Sequence, residues 1–251
     1  MWYNVHVAGR DRESFGDDDG ILPLQFKFLR NILEKHKPDA LSWDFLTYTW
    51  PIKDYAKKNP SIIYVSSKEG NTKLLFKKRA IDAGIKKSKY DILIFTDVDC
   101  RVQQNWVQSM ASCFNNEVDY VVGMSKISKS LNIVSHFQKL DLFMMMTAGR
   151  AKCNLESPIA STGQNQAYKK TLYYRSDGFL KIKDSIQGDD SLFMHLCLKE
   201  NAKIIFNDNP ESFVESRLEI NFLSFIKQRI RWAADAKVMW NYNKTFFIIL
   251  L

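Results

Sequence analysis

The sequence has few cysteines, and none of them forms a short metal-binding or redox motif. The four are widely spaced, with no Cys-x-x-Cys pair: Cys100, Cys113, Cys153 and Cys197. Such spacing argues against a zinc cluster and against a disulfide framework. We therefore expect a protein of a reducing compartment.

The sequence has no predicted secretory signal and no apolar run as long as a membrane span. The N-terminal stretch MWYNVHVAGRDRESF has no apolar run after its Met, so no secretory signal is predicted. At the C-terminus, FFIILL has six apolar residues, whereas a membrane helix needs about 20. Residues 241–251 therefore have two interpretations: the start of a truncated membrane helix, or a short segment packed into the core.

No internal repeat, low-complexity tract or Gly/Ser linker divides the chain, so we expect a single domain over residues 1–240. Of the 251 residues, 45% are apolar and 13% aromatic, which is enough for a substantial core and argues against disorder. The formal net charge of +8 favours an anionic partner: a phosphorylated substrate, a membrane surface or nucleic acid.

Strand-like and helix-like segments alternate along most of the chain, which predicts an α/β sandwich with a mainly parallel sheet. Apolar and β-branched runs predict strands at SIIYV (61–65), DILIFT (91–96), DYVVGM (119–124), KIIFN (203–207) and SFVES (212–216). Helical spacing predicts helices within residues 71–87, 105–114, 131–149 and 222–240. The segment CNLESPIASTGQNQAYKK is predicted to be a loop, because Pro158 and Gly163 interrupt it.

Two aspartates follow the most apolar of these strands. Asp97 and Asp99 come directly after Ile92–Phe95, and open parallel sheets bind ligands beyond the carboxyl ends of their strands. Two carboxylates at this spacing can share Mg²⁺ or Mn²⁺. They can equally cap the turn that follows, and the short motif does not decide between the two.

A second acidic pair lies in SIQGDDSLFMHLCL. Gly188, Asp189 and Asp190 precede an apolar-periodic run, so a helix N-cap explains one of the acids. It explains two in succession less well. Adjacent carboxylates repel each other, and this raises the pKa of one of them, a useful property in a general base.

A third cluster lies in FIKQRIRWAADAK. Gln228, Arg231 and Trp232 have helical spacing and share one face of the predicted helix. The guanidinium of Arg pairs well with phosphate oxygens, and Trp offers a flat surface to a sugar or base. The alternative is a basic surface helix with its Trp buried beneath it.

The order of these motifs, DxD, GDD and QxxRW, resembles glycosyltransferase family 2, the inverting nucleotide-sugar transferases. KKRAIDAGIKKSKYDILIFTDVDCRVQQNWVQSM looks like the family's lysine-containing helix, DxD strand and following helix. STGQNQAYKKTLYYRSDGF is similar to its acceptor-side segment, and the likeness covers roughly residues 51–240. It implies a GT-A-type, Rossmann-like α/β/α sandwich with a mainly parallel central sheet.

The resemblance also implies roles for the four acids. Asp97 and Asp99 would hold Mg²⁺ or Mn²⁺ and the diphosphate of a UDP- or GDP-sugar donor, with Asp99 favoured as the direct metal ligand. Asp190 would be the base that deprotonates the acceptor hydroxyl, and Asp189 would shape the same pocket.

Further donor contacts are implied on two helices. Gln228, Arg231 and Trp232 would bind the diphosphate and the acceptor end, while Lys77 or Lys78 would reach the nucleotide. The acceptor would be a glycan or a lipid-linked hydroxyl, in glycan, lipid or polysaccharide synthesis. Family members often continue into membrane helices, so the resemblance implies that the protein is located at the cytoplasmic face of the cell membrane. The net charge of +8 suits the anionic lipids of that leaflet.

The chain departs from the family pattern mainly in residues 1–50. These residues form a divergent version of the half of the domain that contacts the nucleoside in the family. VHVAGRDRESF is a degraded version of the family's first acidic turn, and DFLTYTWPIKD (44–54) lacks the acidic turn that contacts the nucleoside. In SDGF the family's first glycine is absent, although Gly178 remains.

Three rival functions are weaker on the residues. A haloacid-dehalogenase-like phosphatase also has a strand followed by DxD, but it expects Thr or Val two residues after the second Asp, where this chain has Arg101. A nucleic-acid-binding module is not favoured, because the basic residues are spread out and no known motif occurs. A degenerate, non-catalytic transferase that still binds nucleotide is the main alternative.

Overall fold

The computed structural model describes residues 3–8, 41–44, 57, 63–97, 100–127, 132–185, 187–219, 221–233, 240 and 244. For residues 3–8, 41–44 and 231–233 only the backbone is described. The strands are β1 (Tyr3–Ala8), β2 (Leu41–Asp44), β3 (Ile92–Asp97), β4 (Arg101–Val102), β5 (Val118–Gly123), β6 (Ser125–Lys126), β7 (Gln166–Lys169), β8 (Lys203–Asn207) and β9 (Val214–Glu215). The α-helices are α1 (Phe76–Lys87), α2 (Trp106–Ala111), α3 (Ile133–Asn154), α4 (Lys170–Arg175), α5 (Ser191–Lys199) and α6 (Phe222–Ala233).

Six strands form a central sheet in the order β2-β1-β3-β7-β5-β8. The pairs β1–β2, β1–β3 and β5–β8 are parallel, and β7 is antiparallel to both of its neighbours, β3 and β5. All strands of this sheet except β7 therefore point the same way, which confirms the predicted mainly parallel sheet. A small second sheet has the order β4-β9-β6.

The sheet has an apolar layer on each face, as alternation of side chains along a strand requires. Leu93 and Phe95 of β3 pack in one buried cluster with residues of α1, α4 and α5. Ile92 and Ile94 of the same strand pack in another with α2, including the fully buried Trp106. Strand β3 is buried along its whole length, so its carboxyl end delivers Asp97 to the edge of a rigid layer.

Several predicted elements differ from the observed ones. Ile63–Val65, the described part of SIIYV, is not a strand, and β7 lies in the segment predicted to be a loop. Helix α3 extends to Asn154, beyond its predicted end, whereas α1 begins only at Phe76. In the described part of the chain, no helix has both the length and the apolar character needed to cross a bilayer. The turn of Arg10, Asp11 and Glu13 and the C-terminal FFIILL lie outside the described residues.

Candidate functional site

A single ammonium group joins the two predicted acidic motifs. Lys77 Nζ lies 2.9 Å from Asp97 Oδ1 and 2.9 Å from Asp189 Oδ2. Both carboxylates are buried, while about a quarter of the Lys77 side chain is exposed. Residues more than 90 positions apart in the sequence thus meet at one point, on the carboxyl edge of the sheet.

Glycines allow the surrounding loops to approach this point. A Cβ on Gly163 would lie 2.8 Å from Lys77 Nζ and 3.3 Å from Asp189 Oδ2. Gly188 has φ +97°, in the region that favours glycine, and a Cβ there would lie 2.5 Å from a methyl of Leu192. Gly188 therefore lets the chain turn sharply into the acidic pair at the start of α5.

Asp190 is the N-cap of α5 and has its carboxylate held from two sides. Its Oδ1 accepts a hydrogen bond from the backbone N–H of Ser191 at 2.6 Å, and its Oδ2 accepts one from the N–H of Gly163 at 3.2 Å. The N-cap interpretation is thus confirmed for Asp190, while Asp189 faces Lys77. The two adjacent acids have different partners, which gives them different chemistry.

The electrostatics of the cluster separate the two acids further. Burial, together with the charge of Asp189, raises the pKa of Asp190 to about 6, although Lys77 lowers it in part. Burial alone would lower the pKa of Lys77, but the charges of Asp189 and Asp97 outweigh burial and raise it. Lys77 is therefore a permanent cation near neutral pH, and Asp190 is a carboxylate with unusual proton affinity.

A match to a family model accompanies this geometry. The model described as glycosyl transferase family 2 matches residues 50–179, just over half of the chain. The chain belongs to glycosyl transferase family 2. The match includes Lys77, Asp97 and Gly163, whereas the acidic pair at Asp189 and Asp190 follows it in the sequence. Among curated proteins, none has a significant sequence match.

Several glycosyltransferases are among the solved structures that resemble this chain. A mannosyltransferase from Pyrobaculum calidifontis, PcManGT, solved with GDP-Man and Mn²⁺, has TM-score 0.62 and 16% identity; the match covers 94% of this chain and 64% of PcManGT. GalNAc-T7, solved with UDP, GalNAc and Mn²⁺, has TM-score 0.57 and 14% identity over 87% of this chain and 44% of that protein. Glucosyl-3-phosphoglycerate synthase from Mycobacterium tuberculosis, in complex with UDP, has TM-score 0.55 and 12% identity over 96% and 79%. These likenesses show the GT-A fold, and the chain spans less than two thirds of the first two proteins.

The two neighbouring lysines of this family 2 chain have different surroundings. Lys78, predicted beside Lys77 as a nucleotide contact, has no exposed surface. Its Nζ donates hydrogen bonds to the carbonyls of Ile182, at 2.7 Å, of Gln187, at 3.0 Å, and of Ser185. Lys78 therefore points into the loop that precedes Gly188, whereas Lys77 points to the carboxylates, and a nucleotide contact at Lys78 stays a prediction.

The QxxRW motif lies on α6, and only part of it is described. Gln228 Nε2 donates to Glu219 Oε1 at 3.0 Å, and the backbone of Glu219 pairs at two points with the buried amide of Gln138 on α3. Arg231 and Trp232 are in α6, but their side chains lie outside the described residues. The roles predicted for these three residues in donor binding stay predictions.

Sequence reasoning missed the buried polar residues that support the acidic loop. Gln166 of β7 is almost fully buried, and its Nε2 donates to the backbone carbonyl of Asp189 at 3.3 Å. The hydroxyls of Tyr120 and Ser161 donate to Gln166 Oε1. The amide is thereby fixed in orientation, and nothing in the local sequence QAYK indicates this role.

The acidic cluster contains the type of ligand that a hard divalent cation prefers. Within the described residues no group of three or more side chains is arranged to hold a metal ion, and Asp99 lies outside them. Asp97 and Asp189 nevertheless converge on one positive charge, the Lys77 ammonium, and Asp190 adds further negative charge. Carboxylate oxygens are the ligands that Mg²⁺ and Mn²⁺ prefer, so Asp97 and Asp189 have the ligand type of such an ion.

Proposed function

We propose that the chain is a metal-dependent, inverting glycosyltransferase that moves a hexosyl-type sugar from a UDP- or GDP-sugar to a hydroxyl acceptor. The observation that carries the proposal is the meeting of Asp97, Lys77 and Asp189 at the carboxyl edge of a GT-A sheet, beside Asp190. Such a site supplies fixed charges for a diphosphate and a base for a hydroxyl. The GDP-Man bound to one structurally similar protein, the UDP and GalNAc bound to another, and the Mn²⁺ bound to both support it.

In the proposed reaction Asp190 acts on the acceptor. Its carboxylate takes the proton of the acceptor hydroxyl as that oxygen attacks the anomeric carbon. The bond between this carbon and the diphosphate oxygen breaks, its electron pair leaves with the nucleoside diphosphate, and direct displacement inverts the configuration. The two N–H groups that hold Asp190 fix the orientation of the base, because each occupies one of its oxygens.

On the donor side, Lys77 is the residue placed to stabilise charge. Its ammonium is oriented by Asp97 and Asp189, and it offers positive charge where the diphosphate would accumulate negative charge. Asp97 and Asp99 would hold Mg²⁺ or Mn²⁺, which when bound supplies Lewis-acid stabilisation of the leaving diphosphate.

The first test is calorimetric titration of UDP and of GDP into the purified chain, with and without Mn²⁺. We expect one of the two to bind, and to bind only with the metal. Asp99→Ala should weaken this binding strongly. The control is Asp184→Ala, which should leave it unchanged, because Asp184 is an exposed acid in the loop before the site. Absence of binding for both nucleotides in a folded sample would favour the non-catalytic alternative, and an unchanged Mn²⁺ titration of Asp99→Ala would remove Asp99 as the ligand.

A pH dependence follows from the raised pKa of Asp190. Since only the carboxylate can accept a proton, we expect kcat to fall as the pH drops below about 6, by about tenfold per pH unit. Lys77→Met removes the cation that lowers this pKa, so its acid limb should move to higher pH. The measurement is release of nucleoside diphosphate against pH at saturating substrates. The same midpoint in Lys77→Met and the parent chain would contradict the assignment of that limb to Asp190.

We also propose that the protein acts at the cytoplasmic face of the cell membrane, either bound peripherally or anchored. Large apolar side chains of α3 and α6 are more than half exposed: Ile133, Phe137, Met144, Phe222, Leu223 and Ile230. The rings of Phe137 and Phe225 meet at 5.7 Å, so the two helices adjoin. An exposed apolar patch on a chain of net charge +8 suits an anionic lipid surface.

A further inference from the structure

A groove separate from the acidic cluster lies beside α3. It has a volume of about 520 Å³, within the usual range of ligand pockets. Residues after β5, one face of α3 and a ring before β9 line it: Met124, Lys126, Ile127, His136, Lys139, Leu140, Phe143 and Phe213. The residues from α3 follow helical spacing, so they form one continuous wall. We refer to this site as the α3 groove.

One wall residue of the α3 groove is hydrogen-bonded to the loop that holds the proposed base. The carbonyl of Met124, in the groove wall, accepts hydrogen bonds from Asn165 Nδ2 at 2.8 Å and from the N–H of Val214 at 3.0 Å. Asn165 is two residues after Gly163, whose N–H holds Asp190 at 3.2 Å. A short, hydrogen-bonded stretch of chain therefore links one wall residue of the groove to the loop that holds Asp190.

The lining of the α3 groove combines apolar surface with the positive charge of two lysines. Five of its residues are apolar, and none is acidic. Among the described residues, no carboxylate lies within ion-pair distance of the ammonium of Lys126 or Lys139, and Lys126 instead lies 5.5 Å from the centre of the Phe213 ring. A hydrocarbon chain would pack against the apolar walls, and an anionic group would pair with the two ammonium groups.

This chemistry distinguishes between classes of acceptor. A free glycan needs many directional hydrogen bonds, and the side chains of this groove offer them only at Lys126, His136 and Lys139. A second copy of the chain would bring like charges together across a shared face. We propose that the α3 groove binds the acceptor, and that the acceptor is an amphiphile with a hydrocarbon tail and an anionic head group. This inference rests on the proposed function and names its acceptor class.

The test uses lauroyl lysophosphatidylglycerol, which carries an anion, hydroxyl groups and a single acyl chain. Titrated calorimetrically below its micelle concentration, it should bind the full chain at a single site. Dodecyl maltoside, with a neutral head, and glycerol phosphate, with no tail, should each bind at least about tenfold more weakly. Equal binding of dodecyl maltoside would overturn the anionic part of the proposal, and no binding of the lysolipid would overturn all of it.

Variants locate the site. Lys126→Gln combined with Lys139→Gln should weaken binding of the lysolipid about 30-fold, since each basic residue near an anionic lipid contributes about fivefold in affinity. Lys152→Gln combined with Lys183→Gln makes the same charge change away from the groove and should have little effect. Phe143→Ser, at a half-exposed position, should weaken binding about tenfold without unfolding the chain. Equal losses in both lysine double variants would overturn the location.

Two further outcomes distinguish an acceptor site from simple contact with a membrane. If the chain binds phosphatidylglycerol vesicles but not the monomeric lysolipid, the α3 groove only contacts a membrane, and its assignment as an acceptor site is wrong. UDP and GDP binding tests the proposed function independently. Nucleotide binding without lysolipid binding would overturn the groove assignment alone, and lysolipid binding without nucleotide binding would overturn the proposed transfer. In a transfer assay, the Lys126 and Lys139 double variant should raise KM for the lysolipid with kcat nearly unchanged.

Discussion

Replacing Asp190 by Asn is expected to abolish sugar transfer, with kcat reduced by at least about 100-fold, and to leave nucleotide binding unchanged. The amide cannot accept the proton of the acceptor hydroxyl, whereas Lys77 and Asp97, which face the donor, keep their contact. Asn also has only one acceptor oxygen for the two N–H groups that Asp190 satisfies, so we expect a loss of about 1 kcal/mol in the free energy of unfolding.

Three measurements isolate the chemical effect of this substitution. These are kcat, the dissociation constant of UDP or GDP with Mn²⁺, and urea unfolding, which shows that the variant is folded under assay conditions. Asp184→Asn is the matched control, because this acid is exposed and lies outside the cluster. Full activity in Asp190→Asn would remove Asp190 as the base. A parallel loss of nucleotide binding would show instead that Asp190 organises the donor site.

Much of the fold could be predicted because local pattern and tertiary environment agree. The run Ile92–Phe95 is apolar on both faces of its strand, as a central strand of a parallel sheet must be, and the structure buries all of it. The acid that follows it reaches the carboxyl edge by topology alone. The position of Asp97 was thus predictable from the sequence, while its partner Lys77 was indicated only by resemblance to the family.

Strand β7 could not be predicted, because its signal is not local. Its four residues, QAYK, follow Pro158 and Gly163. The polar side chain of Gln166 gives no sequence signal for a buried strand. The strand exists because β3 and β5 both pair with it, and Gln166 can be buried because Tyr120 and Ser161 satisfy its side-chain oxygen. Contacts that span more than 40 residues decide this element, and periodicity within a short window cannot reveal them.

The two adjacent lysines show the same limit at the level of a single residue. In the sequence Lys77 and Lys78 are equivalent, and the prediction that one of them contacts the nucleotide does not choose between them. On α1 they point about 100° apart, because an α-helix has 3.6 residues per turn. That rotation directs Lys77 to the carboxylates and Lys78 to three backbone carbonyls. The position of each lysine around the helix, and not its residue type, therefore determines which groups it contacts.

Lys78→Met is therefore expected to be strongly destabilising, by about 3 kcal/mol or more. Met matches the length of Lys but has no N–H, so the carbonyls of Ile182, Ser185 and Gln187 would lose a donor, and each buried acceptor left unpaired costs about 1–3 kcal/mol. The measurement is urea unfolding. Lys87→Met on the same helix is the control, because Lys87 makes an exposed ion pair with Glu69, and such pairs contribute about 0–1 kcal/mol.

The location of the damage in Lys78→Met also has a consequence for activity. The loop released from Lys78 leads directly to Gly188, whose positive φ directs the chain into Asp189 and Asp190. Under conditions in which the variant remains folded, we expect kcat to fall more than nucleotide affinity, because Asp190 loses its fixed position while Asp97 keeps its own. A loss of stability below about 1 kcal/mol would mean that water replaces the ammonium at these carbonyls. The buried lysine would then only fill space, and the position of the base would depend on its contacts with Ser191 and Gly163 and on the support of Gln166.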